Sequence, residues 1–193
     1  MGKKSQITYW CHEIIRAQAA RGGIYIDATM GKGNDTLLLC ELAGDAGKVI
    51  AFDIQKMALE ETEKLLKKEN KIEQMGERVR LIQASHQYMD QYVNPESVDV
   101  ICFNFGYLPG GDHRISTKAD TSIEAIGKGL ELLKSGGMMS LCIYSGGDTG
   151  FEEKNRILEY LKKLDSRKYV VIVNSYYNRE NNPPIPAFIV KKG

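Results

Sequence analysis

The chain has only four cysteines in 193 residues, at positions 11, 40, 102 and 142, and none stands in a CxxC or in ligand spacing with the three histidines. That scarcity excludes a zinc ribbon, a finger and a dithiol redox motif, and no metal is expected. Three of the four lie in apolar runs, where free cysteine packs as a small hydrophobe. Excess charge is also missing: 26 Lys and Arg face 25 Asp and Glu, for a formal net charge of +1. A chain so balanced is not built to seek nucleic acid with its whole surface, so any RNA contact has to use a local patch. No apolar run approaches the ~20 residues needed to span a bilayer, and the opening MGKKSQITYW lacks the apolar stretch of a secretion signal. The expected compartment is therefore the cytoplasm, with no membrane partner. Repeats, low-complexity tracts and linkers are absent too, and a chain of this length is expected to form a single domain over residues 1–193.

What is present is a rhythm. Apolar runs of strand length recur at residues 24–29, 48–54, 79–84, 98–105, 138–145, 169–177 and 187–192. Helix-like stretches separate the first five. The clearest spans 56–70, where Leu59, Thr62, Leu65 and Leu66 share one face and charges occupy the other. Such alternation predicts a parallel sheet covered on both sides. Between the last two runs lies NRENNPPIP (178–186), rich in Asn and Pro and without helical pattern, so that pair is expected to be antiparallel. The reading is an α/β fold: a seven-stranded, mostly parallel sheet with an antiparallel C-terminal hairpin and helices on both faces.

Residues 24–39 read IYIDATMGKGNDTLLL, a strand, a turn with two glycines and the start of a helix. Open α/β sheets hold nucleotides on such a turn, because glycine lets ligand and backbone approach closely. A dinucleotide fingerprint would need glycine at position 36, where Thr36 stands. Asp27, at the end of the strand, argues further against a pyrophosphate, since like charges at ~4 Å repel by roughly 1 to 4 kcal/mol. S-adenosylmethionine (SAM) carries a sulfonium and an ammonium and no phosphate, so an acid beside the turn attracts it. The D-x-x-x-G-x-G spacing of Asp27, Gly31 and Gly33 thus favours a methyl donor, and the layout is that of Rossmann-like class I methyltransferases.

Further candidates follow from the strand ends. Asp53 closes the second strand, where a carboxylate can accept two hydrogen bonds from a ribose diol; Ile54 and Gln55 follow it in the cofactor set. Asp27 is expected to order the turn, which includes Thr29 and Met30, or to reach the amino-acid portion of the donor through water. Ser85 and His86 end the third strand, at the place of the adenine edge. Asn34 and Asp35 open the helix after the turn, as N-cap or as ligand groups. The fourth strand ends in FNFGYLPGGDH. Asn104 and Tyr107 there match the outer positions of the Asn-Pro-Pro-Tyr signature of amino-methyltransferases, in which a carboxamide oxygen accepts a hydrogen bond from an amine and aims its lone pair at the methyl group. Asn104, Tyr107 and Asp112 are the catalytic candidates, Asn104 also bordering the cofactor. An alkyl amine arrives protonated, and Asp112, His113 and His86 are candidate proton acceptors. Gly110 and Gly111 let the loop turn, Thr117, Thr121 and Ser122 are candidate caps of the next helix, and SGGDTG (145–150) forms another loop on the same edge.

Together DATMGKGNDT, QASH, NFGYLPGGD and NRENNPP resemble the YtqB-like family of class I methyltransferases, labelled rRNA methylases and related to the bacterial tRNA 5-(aminomethyl)-2-thiouridine methyltransferases. The resemblance spans nearly the whole chain. It implies transfer of a methyl group from SAM to the exocyclic amine of the wobble uridine in tRNA, with contacts in the anticodon region. Where relatives read Gly-His after the fifth strand, this chain has Gly146 and Gly147. Lys67, Lys68, Arg78, Arg80, Arg167 and Lys168 are available for phosphates. The alternatives are an rRNA or small-molecule amine methyltransferase, a nicotinamide-dependent oxidoreductase and a noncatalytic donor-binding protein; a homodimer is compatible with all of them.

Overall fold

A computed structural model gives the fold, and it describes residues 6–106, 117–145 and 150–193. In chain order the elements are α1 (Ile7–Gln18), β1 (Ile24–Asp27), α2 (Asn34–Ala43), β2 (Lys48–Asp53), α3 (Lys56–Lys68), α4 (Lys71–Met75), β3 (Val79–Gln83), a 3-10 segment (His86–Gln91), β4 (Val98–Phe105), α5 (Ala119–Leu132), β5 (Leu133–Ile143), α6 (Gly150–Lys162), β6 (Tyr169–Val173) and β7 (Ile185–Lys191). The strands form one sheet in the order β3-β2-β1-β4-β5-β7-β6. β7 pairs antiparallel with both β5 and β6, and the other pairings are parallel. The chain leaves β1 toward β2 on one side and returns to β4 on the other, so the crevice of this switch point opens at the carboxyl ends of β1 and β4.

Period-two alternation assigns the side chains to two cores. Ile26, Phe52, Ile101 and Phe103 pack under Ile126 of α5 and Ile157 of α6. Tyr25, Val49, Val100 and Cys102 pack under Cys11 and Ile15 of α1 and Leu38 and Leu39 of α2. Asn104 has the parity of Val100 and Cys102, which places it on the α1 and α2 side. All four cysteines are buried and free.

The sequence pattern did not anticipate α1. Its Cys11 and Ile15 lie four residues apart on one face, and Ile15 is almost wholly buried, a contribution of about 1.5–3 kcal/mol. The helix ends where the Ala19 N–H returns to Ile15 O, and the Tyr25 hydroxyl ties the following turn down by donating to Ala20 O at 2.5 Å. β5 begins five residues before its apolar run, because Leu133 already pairs with Val98 before the register shifts. β6 ends at Val173 and not at residue 177. The connection that follows contains Pro183 and Pro184, which have no N–H to extend a ladder. Among the described residues no helix is long and apolar enough to cross a membrane.

Candidate active site

The glycine turn is organised by Asp27, whose side chain has no exposed surface. Its carboxylate accepts from the Thr36 hydroxyl at 2.6 Å and from the Thr29 N–H at 3.2 Å. Thr36 therefore has a place in this turn that a glycine could not fill. Gly31 and Gly33 both have left-handed backbones, with φ of 53° and 79°. A Cβ on Gly33 would lie 2.9 Å from the Thr62 side chain, so glycine also allows α3 to approach the turn. Burial first, then the neighbouring Asp35, push the Asp27 carboxyl up to about 8, with the two hydrogen bonds opposing and Asp53 adding to the rise. Of the two roles expected for Asp27, it orders the turn directly.

Asp53, half-buried at the end of β2, accepts from the Gly31 N–H at 3.1 Å and the Gln55 N–H at 2.9 Å. Each carboxylate oxygen keeps a second lone pair for a diol. Met30 N–H donates to Phe52 O, completing the strap between the β1 and β2 ends, while the Ile54 side chain beside it is 53% exposed.

On the other side of the turn, Asp35 links three elements. One oxygen meets Nε2 of His12, from α1, at 2.6 Å, and the other accepts from Nδ2 of Asn104, at the end of β4, at 2.8 Å. The Asn104 carboxamide turns its nitrogen inward to meet this acceptor. The main-chain N–H of Asn104 donates to the Thr29 hydroxyl at 2.6 Å, which fixes the backbone as well. With Nδ2 occupied, Oδ1 is the end of the carboxamide left to accept from an incoming group. Asn34 and Asp35 do not cap α2; its N-cap is Gly33, with no side-chain cap bond.

Ser85 is the N-cap of the 3-10 segment, accepting from Gln87 N–H at 3.3 Å. His86 packs edge-on against Phe103, with centroids 5.8 Å apart. Burial lowers its pKa to about 4 despite a main-chain hydrogen bond with Ala28, so the ring is neutral, and its Nε2 is buried without a partner. A neutral ring that holds a proton so weakly is a poor acceptor for an ammonium. Tyr107, Gly110, Gly111, Asp112, His113, Gly146 and Gly147 lie outside the described residues.

Thr117, Thr121 and Ser122 do not cap α5 either; its N-cap is Lys118, without a side-chain bond. Glu153, 3% exposed on α6, collects two of these hydroxyls, from Thr117 at 2.8 Å and Ser122 at 2.7 Å. Thr117 in turn accepts from Gly106 N–H at 2.9 Å. A buried acid thus closes the base of the segment that follows β4. His12 and Glu153 are the residues that sequence reasoning missed. The spacing of Cys11, Ile14 and Ile15 was the available sign of α1, whereas nothing local marks Glu153.

The donor set favours a cation. Asp27, Asp35 and Asp53 surround one turn, and the first is destabilised as an anion by the other two. A sulfonium and an ammonium relieve that repulsion and a pyrophosphate deepens it. Among the described residues no group of three or more His, Cys, Asp or Glu could hold a metal ion. The switch-point crevice, the glycine turn and the acid after β2 define a class I methyltransferase.

The comparisons with known proteins agree. The chain matches the family described as "Putative rRNA methylase" over residues 49–190. It is 38% identical over 196 residues to the tRNA (mnm(5)s(2)U34)-methyltransferase, chloroplastic, of Arabidopsis thaliana, an alignment covering 98% of this chain and 70% of the relative. The crystal structure of an rRNA methylase from Clostridium thermocellum superposes with a TM-score of 0.91 at 44% identity, covering 97% of this chain and 98% of that one. SMU.1697c of Streptococcus mutans, solved in complex with SAH, superposes with a TM-score of 0.85 at 35% identity over 99% of each chain. The chain belongs to this rRNA methylase family of SAM-dependent class I methyltransferases.

Proposed function

We propose that the enzyme methylates an amine nitrogen of RNA, namely the exocyclic aminomethyl group of wobble 5-aminomethyl-2-thiouridine in tRNA, and that it acts in the cytoplasm. The activity named for the Arabidopsis relative supports the substrate. The observation that carries the chemistry is the fixed Asn104 carboxamide, with its nitrogen on Asp35 and its oxygen left for an amine. In this reading Asp53 holds the ribose of SAM, and the Gly31–Gly33 turn with Asp27 behind it holds the amino-acid portion. Ser85 and His86 border the adenine. Asn104 Oδ1 accepts from the amine, whose lone pair attacks the methyl carbon in line with the departing sulfur. Bound there, SAM would supply the methyl group, its sulfur leaving with the electron pair as the thioether of S-adenosylhomocysteine while the product ammonium gives up its proton. Positioning supplies most of the acceleration.

Mass spectrometry of nucleosides from tRNA incubated with the enzyme and isotopically labelled SAM is the direct test. A labelled methyl group on the wobble nucleoside is expected. Label confined to rRNA or to a free small amine would overturn the assignment. Binding of tRNA that weakens steeply with salt is a second expected result, since phosphate contacts release counterions.

A further inference from the structure

The connection between β6 and β7, residues 174–184, lies at the same sheet edge as Asn104. Its position follows from the register: the β5 end, Ile143, pairs with Ile185, and the β6 end, Val173, pairs with Ala187. Both flanks of this connection are tied down. Asn174 N–H donates to Pro186 O at 2.9 Å, and the Ser145 hydroxyl, directly after β5, donates to Asn182 O at 3.1 Å. Asn181 and Asn182 have left-handed backbones, with φ of 64° and 49°, which turn the chain back toward β7.

On this anchored loop the Arg179 guanidinium sits 3.8 Å from the Tyr176 ring centroid. Next to it, Tyr177 is exposed at 102%, the most exposed of the large hydrophobic side chains described. The rest of the segment contributes Asn174, Asn178, Asn181 and Asn182, with Glu180 as its one acid. An open ring beside a cation–π pair, among amides that both donate and accept, has the composition of a surface for unstacked RNA bases. Such bases are held on aromatic and guanidinium planes and read at their edges by amides. An apolar interface with another protein would surround the ring with aliphatic side chains; the exposed Val170, Ile172 and Val173 lie on β6 itself and not in the loop.

We propose that residues 174–184 form a stacking platform for an unpaired base flanking the acceptor nucleotide, with Tyr177 taking the base and the Tyr176–Arg179 pair holding the adjacent backbone. This rests on the RNA reading above. It also answers how a chain of nearly neutral charge recognises RNA: by a local aromatic surface beside the site.

The test compares full-length wild type with Tyr177→Ala, Tyr177→Phe and Tyr177→Trp in binding a synthetic anticodon stem-loop RNA, by fluorescence anisotropy at fixed salt. Tyr177→Ala is expected to weaken binding about tenfold, while Phe and Trp stay within about twofold of wild type. SAM affinity and sedimentation should be the same in all four proteins. Alanine binding as tightly as wild type would overturn the platform and leave the RNA reading intact. A change of oligomeric state in Tyr177→Ala would assign the ring to a contact between copies and overturn it as well. Failure of wild type to bind the stem-loop would instead remove the RNA reading, and the platform with it.

Discussion

Replacing Asp35 by Asn separates two roles that the site offers this residue. The change keeps the shape of the side chain and removes its charge. Asp35 is 13% exposed on its side chain and accepts from Asn104 Nδ2 at 2.8 Å, so the bond lost is one to a charged, part-buried acceptor, worth about 1.5–3 kcal/mol. The new amide can donate, which invites Asn104 to turn over and present its own NH2 to the amine. If that bond serves only to orient the carboxamide, the whole cost falls on the transition state, and kcat drops about 10- to 150-fold. The assay is single-turnover methyl transfer at saturating SAM, with the SAM Kd measured separately by calorimetry. At saturating SAM, Asp35→Asn should transfer methyl no faster than Asp35→Ala, because a misdirected carboxamide is no better than an unheld one. A kcat within threefold of wild type would refute the orientation argument. A deficit located entirely in the SAM Kd would show Asp35 to be a cofactor ligand.

Three other outcomes are expected. Asn104→Ala should retain SAM binding by calorimetry and lose turnover by ~10²-fold or more, since the group that aligns the nucleophile is gone; an unchanged rate removes Asn104 from the mechanism. Glu153→Ala should cost about 3 kcal/mol, because two hydroxyls lose a buried acceptor. At this chain length that corresponds to a fall in Tm of about 6–12 °C, read by calorimetry, and a shift below about 2 °C would contradict the packing described. The Asp27 carboxyl, raised to about 8, gives a pH dependence of known sign. Between about pH 4 and pH 8 the folded chain keeps a proton that the unfolded chain has lost, so stability present at the acid end declines as pH rises, by at most about 1.4 kcal/mol per unit. Urea midpoints across that window should fall more steeply for wild type than for Asp27→Asn, and parallel lines would exclude Asp27 as the source.

Most of the fold was legible because alternation survives in the sequence. All seven strands, the α3 stripe and the antiparallel pairing of β6 with β7 follow from where apolar runs and Pro-rich turns stand, while the antiparallel pairing of β7 with β5 was not anticipated. The strand ends were less legible. Leu133 starts β5 through a register shift and Val173 ends β6 before the tyrosines, and both depend on the neighbouring strand. In the site, Asp27 was the local case, because its partners Thr29 and Thr36 stand in the same βα unit, whereas Asp53 reaches back 22 residues to Gly31. His12 could not be read locally, because its partner Asp35 is 23 residues away and meets it only when α1 folds across the sheet. Glu153 was hidden for the same reason, reaching Ser122 across 31 residues. Thr36 stood out in the sequence only as a departure from the dinucleotide fingerprint, and its task, closing on Asp27, appears in three dimensions.

Unequal burial explains how three acids share one turn without destabilising it. Were Asp27, Asp35 and Asp53 all ionised and unpartnered, their repulsion would cost several kcal/mol in a half-buried crevice. The structure avoids this by burying Asp27 completely, so that it holds a proton near neutrality, and by giving each of the other two a pair of hydrogen-bond donors. A cationic donor arriving at the turn would favour the ionised form of Asp27, so SAM affinity is expected to rise with pH across its titration. Methyl-donor binding should therefore be linked to pH through Asp27, whereas a pyrophosphate would drive the proton on rather than off. The acids around the turn thus make it responsive to the charge that SAM carries and that its thioether product has lost.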